Sequence, residues 1–317
     1  MESLDLGFDI YYINLERSTE RNLRMCETFG RLKRIDAYDG TILDSYSDIY
    51  IQPELRHQQS NYVCACSFSH IKAIITAYND MKDEVIIMED DIHVSYKSLW
   101  RETLSDIVYN APTNTMCIQL SCSNPTHILN NIVNGKRYIK WDVKHKSYSS
   151  CAYYINRQGM KVIYDTYYNS SSSRIELLSS NVSNVCADGD IIYPKINTYL
   201  YYLPLFDFQV SNSTIHQEDL SQHYACLFIM KEYFKFYSHY HTIFVCCKCK
   251  RKLSSNDAAS SPDIDELYCS RCDKDEAFKL VNKKNNMLIK NWWFNGGSGI
   301  NRYVWDILKC NYNYKIR

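Results

Sequence analysis

The sequence has no excess of charge of either sign. Lysine and arginine together number 36, and aspartate and glutamate also number 36, so the formal net charge is zero. A chain without a global basic field has no long-range attraction for nucleic acid or for an anionic membrane, and any charge recognition must be local. The composition therefore argues against nucleic acid as a partner.

Long hydrophobic runs are also missing. Apolar stretches such as residues 85–88 and 226–230 are far too short to span a bilayer. Residues 1–9 include acids and no basic segment followed by an apolar run, which a secretory signal needs. We therefore expect a soluble, cytoplasmic protein with no membrane span. In that reducing compartment the 14 cysteines favour metal binding over disulfides.

Short apolar strands and helical patterns alternate over roughly the first 170 residues. This alternation predicts an α/β domain with a mostly parallel, doubly wound sheet and helices on both faces. The predicted strands cover residues 10–15, 34–40, 85–88, 116–120 and 149–155, and the predicted helices include 64–78, 99–109 and 158–168.

The character of the sequence changes near residue 238, where cysteines, lysines and a serine-rich stretch follow. A chain of 317 residues is long enough for one sizeable core and an appendage. We therefore divide it into an α/β domain (residues 1–238), a small cysteine module (239–282) and an aromatic tail (283–317).

The cysteine module has the spacing C-x2-C-x19-C-x2-C, formed by Cys246, Cys249, Cys269 and Cys272. Each pair can place two thiolates on one tetrahedral ion, so the spacing predicts a structural Zn²⁺ site of the zinc-ribbon type. Cys247 could substitute for Cys246 in the first pair. The lysines around it are either solvated or contacts for nucleic acid.

Three carboxylates follow the apolar stretch at residues 85–88: Glu89, Asp90 and Asp91. Clustered acids at the end of a buried strand are costly unless a cation or a basic ligand neutralises them. Residues two apart project to one side, so Glu89 and Asp91 can share an ion while Asp90 faces elsewhere. Oxygen ligands favour Mg²⁺ or Mn²⁺. A solvated acidic turn is the alternative reading.

Several segments occur in an order typical of one enzyme family. Residues 12–21 read YINLERSTER, which is similar to the pattern INL-x-x-R-x-x-R with the first arginine one position earlier, and residues 86–91 are a hydrophobic stretch ending in EDD. Further matching segments are residues 34–40 (R-x-x-A-x-x-G), 66–70 (C-x-x-SH), 151–159 (AY-x-I-x-R-x-G) and 187–188 (the end of P-V-D, with Pro and Val changed). Together these segments resemble glycosyltransferase family 25, whose members include lipopolysaccharide and collagen galactosyltransferases. The variant resembles members from large DNA viruses, which would place the protein in the host cytoplasm or the virion.

The resemblance implies a GT-A fold and inverting transfer of a hexose from a nucleotide-sugar, commonly a UDP-sugar, to a hydroxyl on a protein or glycan. Glu89 and Asp91 would hold Mn²⁺ or Mg²⁺, with His216 as a third ligand unless it is a surface-loop residue. The donor would contact Asn14, Arg17, Arg21, Asp39, His70 and Asp90. In the alternative reading, the arginines form surface pairs, Asp39 is a turn residue and His70 belongs to the core.

An inverting transfer needs a base that takes the proton of the acceptor hydroxyl. Asp188 matches the later aspartate of the family and is our candidate for the base. Asp190 competes for the role, and either residue could instead cap a turn. A second function class also stays open, in which the core is inactive and the zinc module makes the chain an interaction or nucleic-acid-binding protein.

Overall fold

The computed structural model describes residues 3–100, 102–125, 127–128, 136–142, 147–209, 223–227, 229–231 and 234. These residues fall into two compact units. The first unit includes the described residues of 3–95 and 102–226 and contains all strands named below. In the second unit, a 3₁₀ turn covers Lys97–Leu99, and the rings of Tyr96 and Phe234 stack with centroids 4.7 Å apart.

A seven-stranded sheet forms the centre of the first unit. The strands in chain order are β1 (Ile10–Asn14), β2 (Leu32–Asp36), β3 (Ile49–Ile51), β4 (Glu84–Glu89), β5 (Ile92–His93), β6 (Cys117–Gln119), β7 (Tyr138–Lys140), β8 (Ala152–Asn156), β9 (Tyr168–Asn169), β10 (Arg174–Leu177), β11 (Thr198–Tyr201) and β12 (Asp207–Phe208). The main sheet has the order β2-β1-β4-β8-β6-β11-β7. Five of its strands run in one direction, and β8 and β7 run against them.

Helices cover both faces of this sheet. They are α1 (Thr19–Thr28), α2 (Pro53–Arg56), α3 (Asn61–Asn79), α4 (Leu104–Tyr109) and α5 (Arg157–Tyr167). Tyr11 shares one buried cluster with Phe68 of α3, whereas the neighbouring Tyr12 donates a hydrogen bond of 2.5 Å to Asn22 of α1. Because successive strand residues point to opposite faces, α3 and α1 lie on opposite sides of β1.

Two small sheets accompany the main one. β10 pairs in parallel with β3 and antiparallel with β9, and β5 pairs antiparallel with β12. The β5–β12 pair directly follows the acidic cluster. There the Asp207 carboxylate accepts hydrogen bonds from the backbone N–H (3.1 Å) and the hydroxyl (2.6 Å) of Ser95. The segment after β5 is therefore tied to β12, and the backbone oxygen of Asp91 in the turn after β4 accepts a hydrogen bond of 2.9 Å from the backbone N–H of Gln209.

The predicted α/β domain with a mostly parallel sheet is confirmed, with two reversed strands that the residue pattern does not reveal. The strand predicted at residues 34–40 ends at Asp36, and a 3₁₀ helix covers Gly40–Ser45. Gly40 is required there because a Cβ would lie 2.8 Å from the backbone Cα of Tyr62. The helix predicted at residues 99–109 begins only at Leu104, and the ends of the other predicted elements differ from the observed ones by up to three residues.

The predictions for the C-terminal part lie outside the described residues. They concern His216, the zinc ligands Cys246, Cys249, Cys269 and Cys272, and the divisions at residues 239–282 and 283–317. Within the described part, each cysteine is a free thiol. None of the helices found there is both long enough and apolar enough to cross a membrane.

Candidate active site

The acidic cluster lies where β4 leaves the sheet. Glu89 is the last residue of β4, Asp90 and Asp91 form the turn, and β5 begins at Ile92. The preceding residues 85–88 are apolar and buried. β4 runs parallel to β1 and antiparallel to β8, so the cluster faces the end of β1 and the start of β8.

Asp90 points toward β1 and α1. Its carboxylate accepts hydrogen bonds from Asn14 Nδ2 (2.6 Å) and Arg21 Nη1 (2.9 Å), and its backbone oxygen accepts one from Arg24 Nη2 (2.7 Å). Asn14 and Arg21 therefore both bind Asp90, and all three residues were predicted to contact the donor. The Arg21 guanidinium balances the buried charge of Asp90 and holds α1 against the end of β4.

Glu89 points away from Asp90. Its Oε1 accepts a hydrogen bond from the Ser150 hydroxyl (3.0 Å) and lies 3.4 Å from Nε2 of His70. Burial raises the pKa of Glu89, but the hydrogen bonds of His70 and Ser150 and the charge of Arg21 outweigh it and hold this pKa below its usual value. Glu89 is thus kept as an anion, with the predicted site residue His70 beside it.

Asp91 is in the opposite electrostatic situation. Burial, together with the smaller effects of the charges of Glu89 and Asp90, raises the pKa of Asp91 to about 7. Its Oδ1 is a buried oxygen without a hydrogen-bond partner among the described residues. An orphaned carboxylate oxygen next to an anionic glutamate is the arrangement that a bound cation would stabilise.

Two thiols accompany these carboxylates. Ligand atoms of Glu89, Asp91 and Cys151 lie within 4.8 Å of one another, and so do those of Cys66, His70 and Glu89. Glu89 belongs to both groups. The residues Glu89 and Asp91 thus fit the divalent ion expected from the sequence. The sequence did not indicate that two thiols would lie close to Glu89.

Asp188 and Asp190 lie on a π-helical turn, Ala187–Ile192. The Asp188 carboxylate accepts hydrogen bonds from the backbone N–H groups of Ser149 (2.6 Å) and Gly189 (2.7 Å) and from the Cys186 thiol (3.0 Å). Burial raises the pKa of Asp190, and the charge of Asp188 raises it further. Three hydrogen-bond donors therefore hold the Asp188 carboxylate in place.

Ser149 connects Asp188 with the acidic cluster. Its backbone has φ 135°, a region that residues with a side chain rarely adopt. Its carbonyl accepts hydrogen bonds from Tyr193 (2.8 Å) and Gln119 (3.2 Å), which hold this conformation. Because Ser149 binds Asp188 and the next residue, Ser150, binds Glu89, a single strained loop positions both acidic groups.

Arg17 and Asp39 form an ion pair with each other. Asp39 also accepts hydrogen bonds from the backbone N–H (2.9 Å) and the hydroxyl (2.8 Å) of Thr41, as a turn aspartate does. Half of the Arg17 side chain remains exposed, against 26% for Arg21. Of the two arginines predicted to contact the donor, Arg17 is the more accessible.

Three acids at the mouth of a mostly parallel α/β sheet place the chain among proteins that bind ligands at the carboxyl ends of strands. A family model described as glycosyltransferase family 25 (LPS biosynthesis protein) matches residues 8–177. The chain belongs to glycosyltransferase family 25. It is therefore a glycosyltransferase and acts on a sugar donor and an acceptor. A search of curated proteins gave no match.

Cys66, Cys151 and Ser149 are site residues that the sequence analysis did not single out. One signal was available for Cys66, because it stands four positions before His70 on a predicted helix and therefore shares a face with it. For Cys151 and Ser149 the sequence holds no comparable signal. Their places depend on the reversed direction of β8, which brings residues 149–151 beside the end of β4.

Proposed function

We propose that this glycosyltransferase moves a hexose from a UDP-sugar to a hydroxyl on a protein or glycan, with a GT-A-type domain and inversion at the anomeric carbon. The observation that carries this proposal is Asp91, whose buried Oδ1 has no partner among the described residues. Its raised pKa, caused by burial and then by the charges of Glu89 and Asp90, indicates that a cation at this position would stabilise the ionised carboxylate.

Glu89 and Asp91 are the residues that would hold Mn²⁺ or Mg²⁺, with Cys151 beside them. The ion would supply charge neutralisation for the departing diphosphate. Asp90 does not take part in this, because its carboxylate is already bound by Asn14 and Arg21. These three residues position the turn that presents Glu89 and Asp91.

The exposed Arg17 and its partner Asp39 would contact the donor. An incoming diphosphate would compete with Asp39 for the Arg17 guanidinium, and Asp39 would then be free to accept a hydrogen bond from the ribose. His70 stays beside Glu89 and keeps that carboxylate oriented. Arg17 and Asp39 would thus bind the donor, whereas Asn14, Arg21 and Asp90 hold the turn after β4 in place.

Asp188 would act as the base. Burial raises the pKa of the Cys66 thiol, and the charges of Glu89, Asp188 and Asp91 are among those that raise it further. Asp188 is also bound by Ser149, whose neighbour Ser150 donates a hydrogen bond to Glu89. Asp188 takes the proton of the acceptor hydroxyl as the new glycosidic bond forms, and the nucleoside diphosphate leaves from the opposite face of the sugar.

Hydrolysis of UDP-hexoses in the presence of Mn²⁺ tests this function. The wild type should release UDP from one of them, and Asp91→Asn should abolish release while keeping the circular dichroism spectrum. Asp83→Asn is the matched control, because this exposed aspartate lies just before the other end of β4. Turnover of no donor by the wild type would favour the inactive-core alternative instead.

A further inference from the structure

Cys66 and His70 lie one helical turn apart on α3 and face the end of β4. Their ligand atoms and a carboxylate oxygen of Glu89 all lie within 4.8 Å of one another. The His70 ring is completely buried, with Nδ1 3.1 Å from the Tyr153 hydroxyl and Nε2 3.4 Å from Glu89. Tyr153 thus fixes the ring so that Nε2 points into the group.

This ligand set differs in chemistry from the pair formed by Glu89 and Asp91. A thiolate, an imidazole and one carboxylate suit a borderline-soft ion such as Zn²⁺, whereas carboxylates alone suit Mg²⁺ or Mn²⁺. Ligating histidines usually have a second hydrogen-bond partner that fixes the ring, as Tyr153 does here. The group has both the ligands and the supporting contact of a zinc site.

We propose that Cys66, His70 and Glu89 form a Zn²⁺ site through which Zn²⁺ inhibits the enzyme. On binding, the Cys66 thiol releases its proton to solvent, and neutral His70 and ionised Glu89 supply the other two ligands. Because Glu89 belongs to both groups, Zn²⁺ held by Cys66 and His70 withdraws this carboxylate from the ion that supports transfer. The inhibition, but not the binding, rests on the proposed function.

Binding is tested without reference to activity by titrating the full chain with Co²⁺ and recording thiolate-to-cobalt absorption. Cys66→Ser should lose part of this absorption. Cys26→Ser, which removes an exposed thiol on α1, should keep all of it. The cysteines near the C-terminus are unchanged in both variants, so absorption from them is common to all three spectra. An unchanged spectrum in Cys66→Ser, or a loss only in Cys151→Ser, overturns the assignment.

Inhibition is tested with Zn²⁺ in the Mn²⁺-supported hydrolysis assay. Cys66→Ser should raise the Zn²⁺ concentration for half-inhibition by at least about tenfold. Tyr153→Phe, which keeps the packing and removes only the hydroxyl that holds His70, should raise it by about tenfold. Tyr153→Phe also keeps the test decisive if Cys66→Ser does not fold.

Equal inhibition of the wild type and of both variants overturns the proposal. If the wild type shows no hydrolysis at all, the proposed function fails, and the cobalt spectra alone decide whether the zinc site exists. Cys26→Ser should be inhibited as strongly as the wild type.

Discussion

At the scale of single residues, the raised pKa of Asp91 makes the stability of the protein depend on pH. This pKa is raised to about 7, first by burial and then by Glu89 and Asp90. Between the ordinary aspartate pKa of about 4 and this value, the native state binds more protons than the unfolded state. The stability that comes from protonated Asp91 is therefore complete below about pH 4 and is lost as the pH rises through about 7.

We predict that Asp91→Asn removes this pH dependence in the absence of divalent ions. At pH 8 the variant should be more stable than the wild type by roughly 2 kcal/mol, and at pH 4 the two should be close. Urea unfolding at both pH values measures the difference. The free energy of unfolding of Asp83→Asn should change with pH as that of the wild type does. If the free energy of unfolding of Asp91→Asn changes between the two pH values by the same amount as that of the wild type, the account is contradicted.

The two candidate bases make a second prediction at the residue scale. Asp188→Asn should lower kcat by about 10²- to 10⁴-fold with little change in the KM for the donor, because it removes a proton acceptor and no donor contact. It should also lower the free energy of unfolding by about 1–3 kcal/mol, since an amide cannot replace both oxygens that accept from Ser149 and Gly189.

Asp190→Asn is the matched variant, on the same turn. Its kcat should stay near the wild-type value. If only Asp190→Asn loses turnover, Asp190 is the base and Asp188 holds the loop. Retention of the anomeric configuration in the product would contradict the inverting mechanism for either residue.

At the scale of elements, the pair formed by Arg21 and Asp90 ties α1 to the end of β4. Arg21→Ala leaves the 10%-exposed carboxylate of Asp90 without its cation and should cost about 3 kcal/mol of stability. Arg17→Ala breaks a pair whose arginine is half exposed and should cost about 1 kcal/mol or less. Thermal unfolding of both variants checks this order, and equal losses would contradict it.

The elements also show how far the sequence predicts this fold. The apolar run of residues 85–88 predicted β4 and its acidic end because a strand buried on both faces needs a continuous apolar stretch. The direction of β8 could not be predicted, since antiparallel and parallel pairing place the same side chains on the same faces. The pairing of β3 with β10 joins residues about 125 positions apart, and no local pattern encodes it.

The same limit applies to the site. Clustered acids were visible in the sequence, and the structure places Glu89 and Asp91 together with Asp90 turned away. The thiols of Cys66 and Cys151 were not predicted, because α3 and the loop before β8 bring them together from distant parts of the chain. The strained backbone of Ser149 depends on the hydrogen bonds of Gln119 and Tyr193, which come from other elements.

For the whole molecule, the C-terminal cysteines lead to a prediction that does not depend on the family. The full chain should retain about one Zn²⁺ after dialysis that removes Mn²⁺, because four thiolates hold a borderline-soft ion more tightly than carboxylates do. Cys269→Ser with Cys272→Ser should lower both this zinc content and the resistance of residues 240–280 to proteolysis. Unchanged values would mean that the four cysteines form no site.

The most direct test of the central claim is a titration of Mn²⁺ into the full chain with UDP present, followed by electron paramagnetic resonance of the free ion. The wild type and Asp83→Asn should each bind about one Mn²⁺ per chain through the Glu89 and Asp91 carboxylates. Asp91→Asn should leave the added Mn²⁺ free at the same concentrations. If Asp91→Asn binds Mn²⁺ as tightly as the wild type, the acidic cluster is not the metal site, and the account of metal-assisted transfer is wrong.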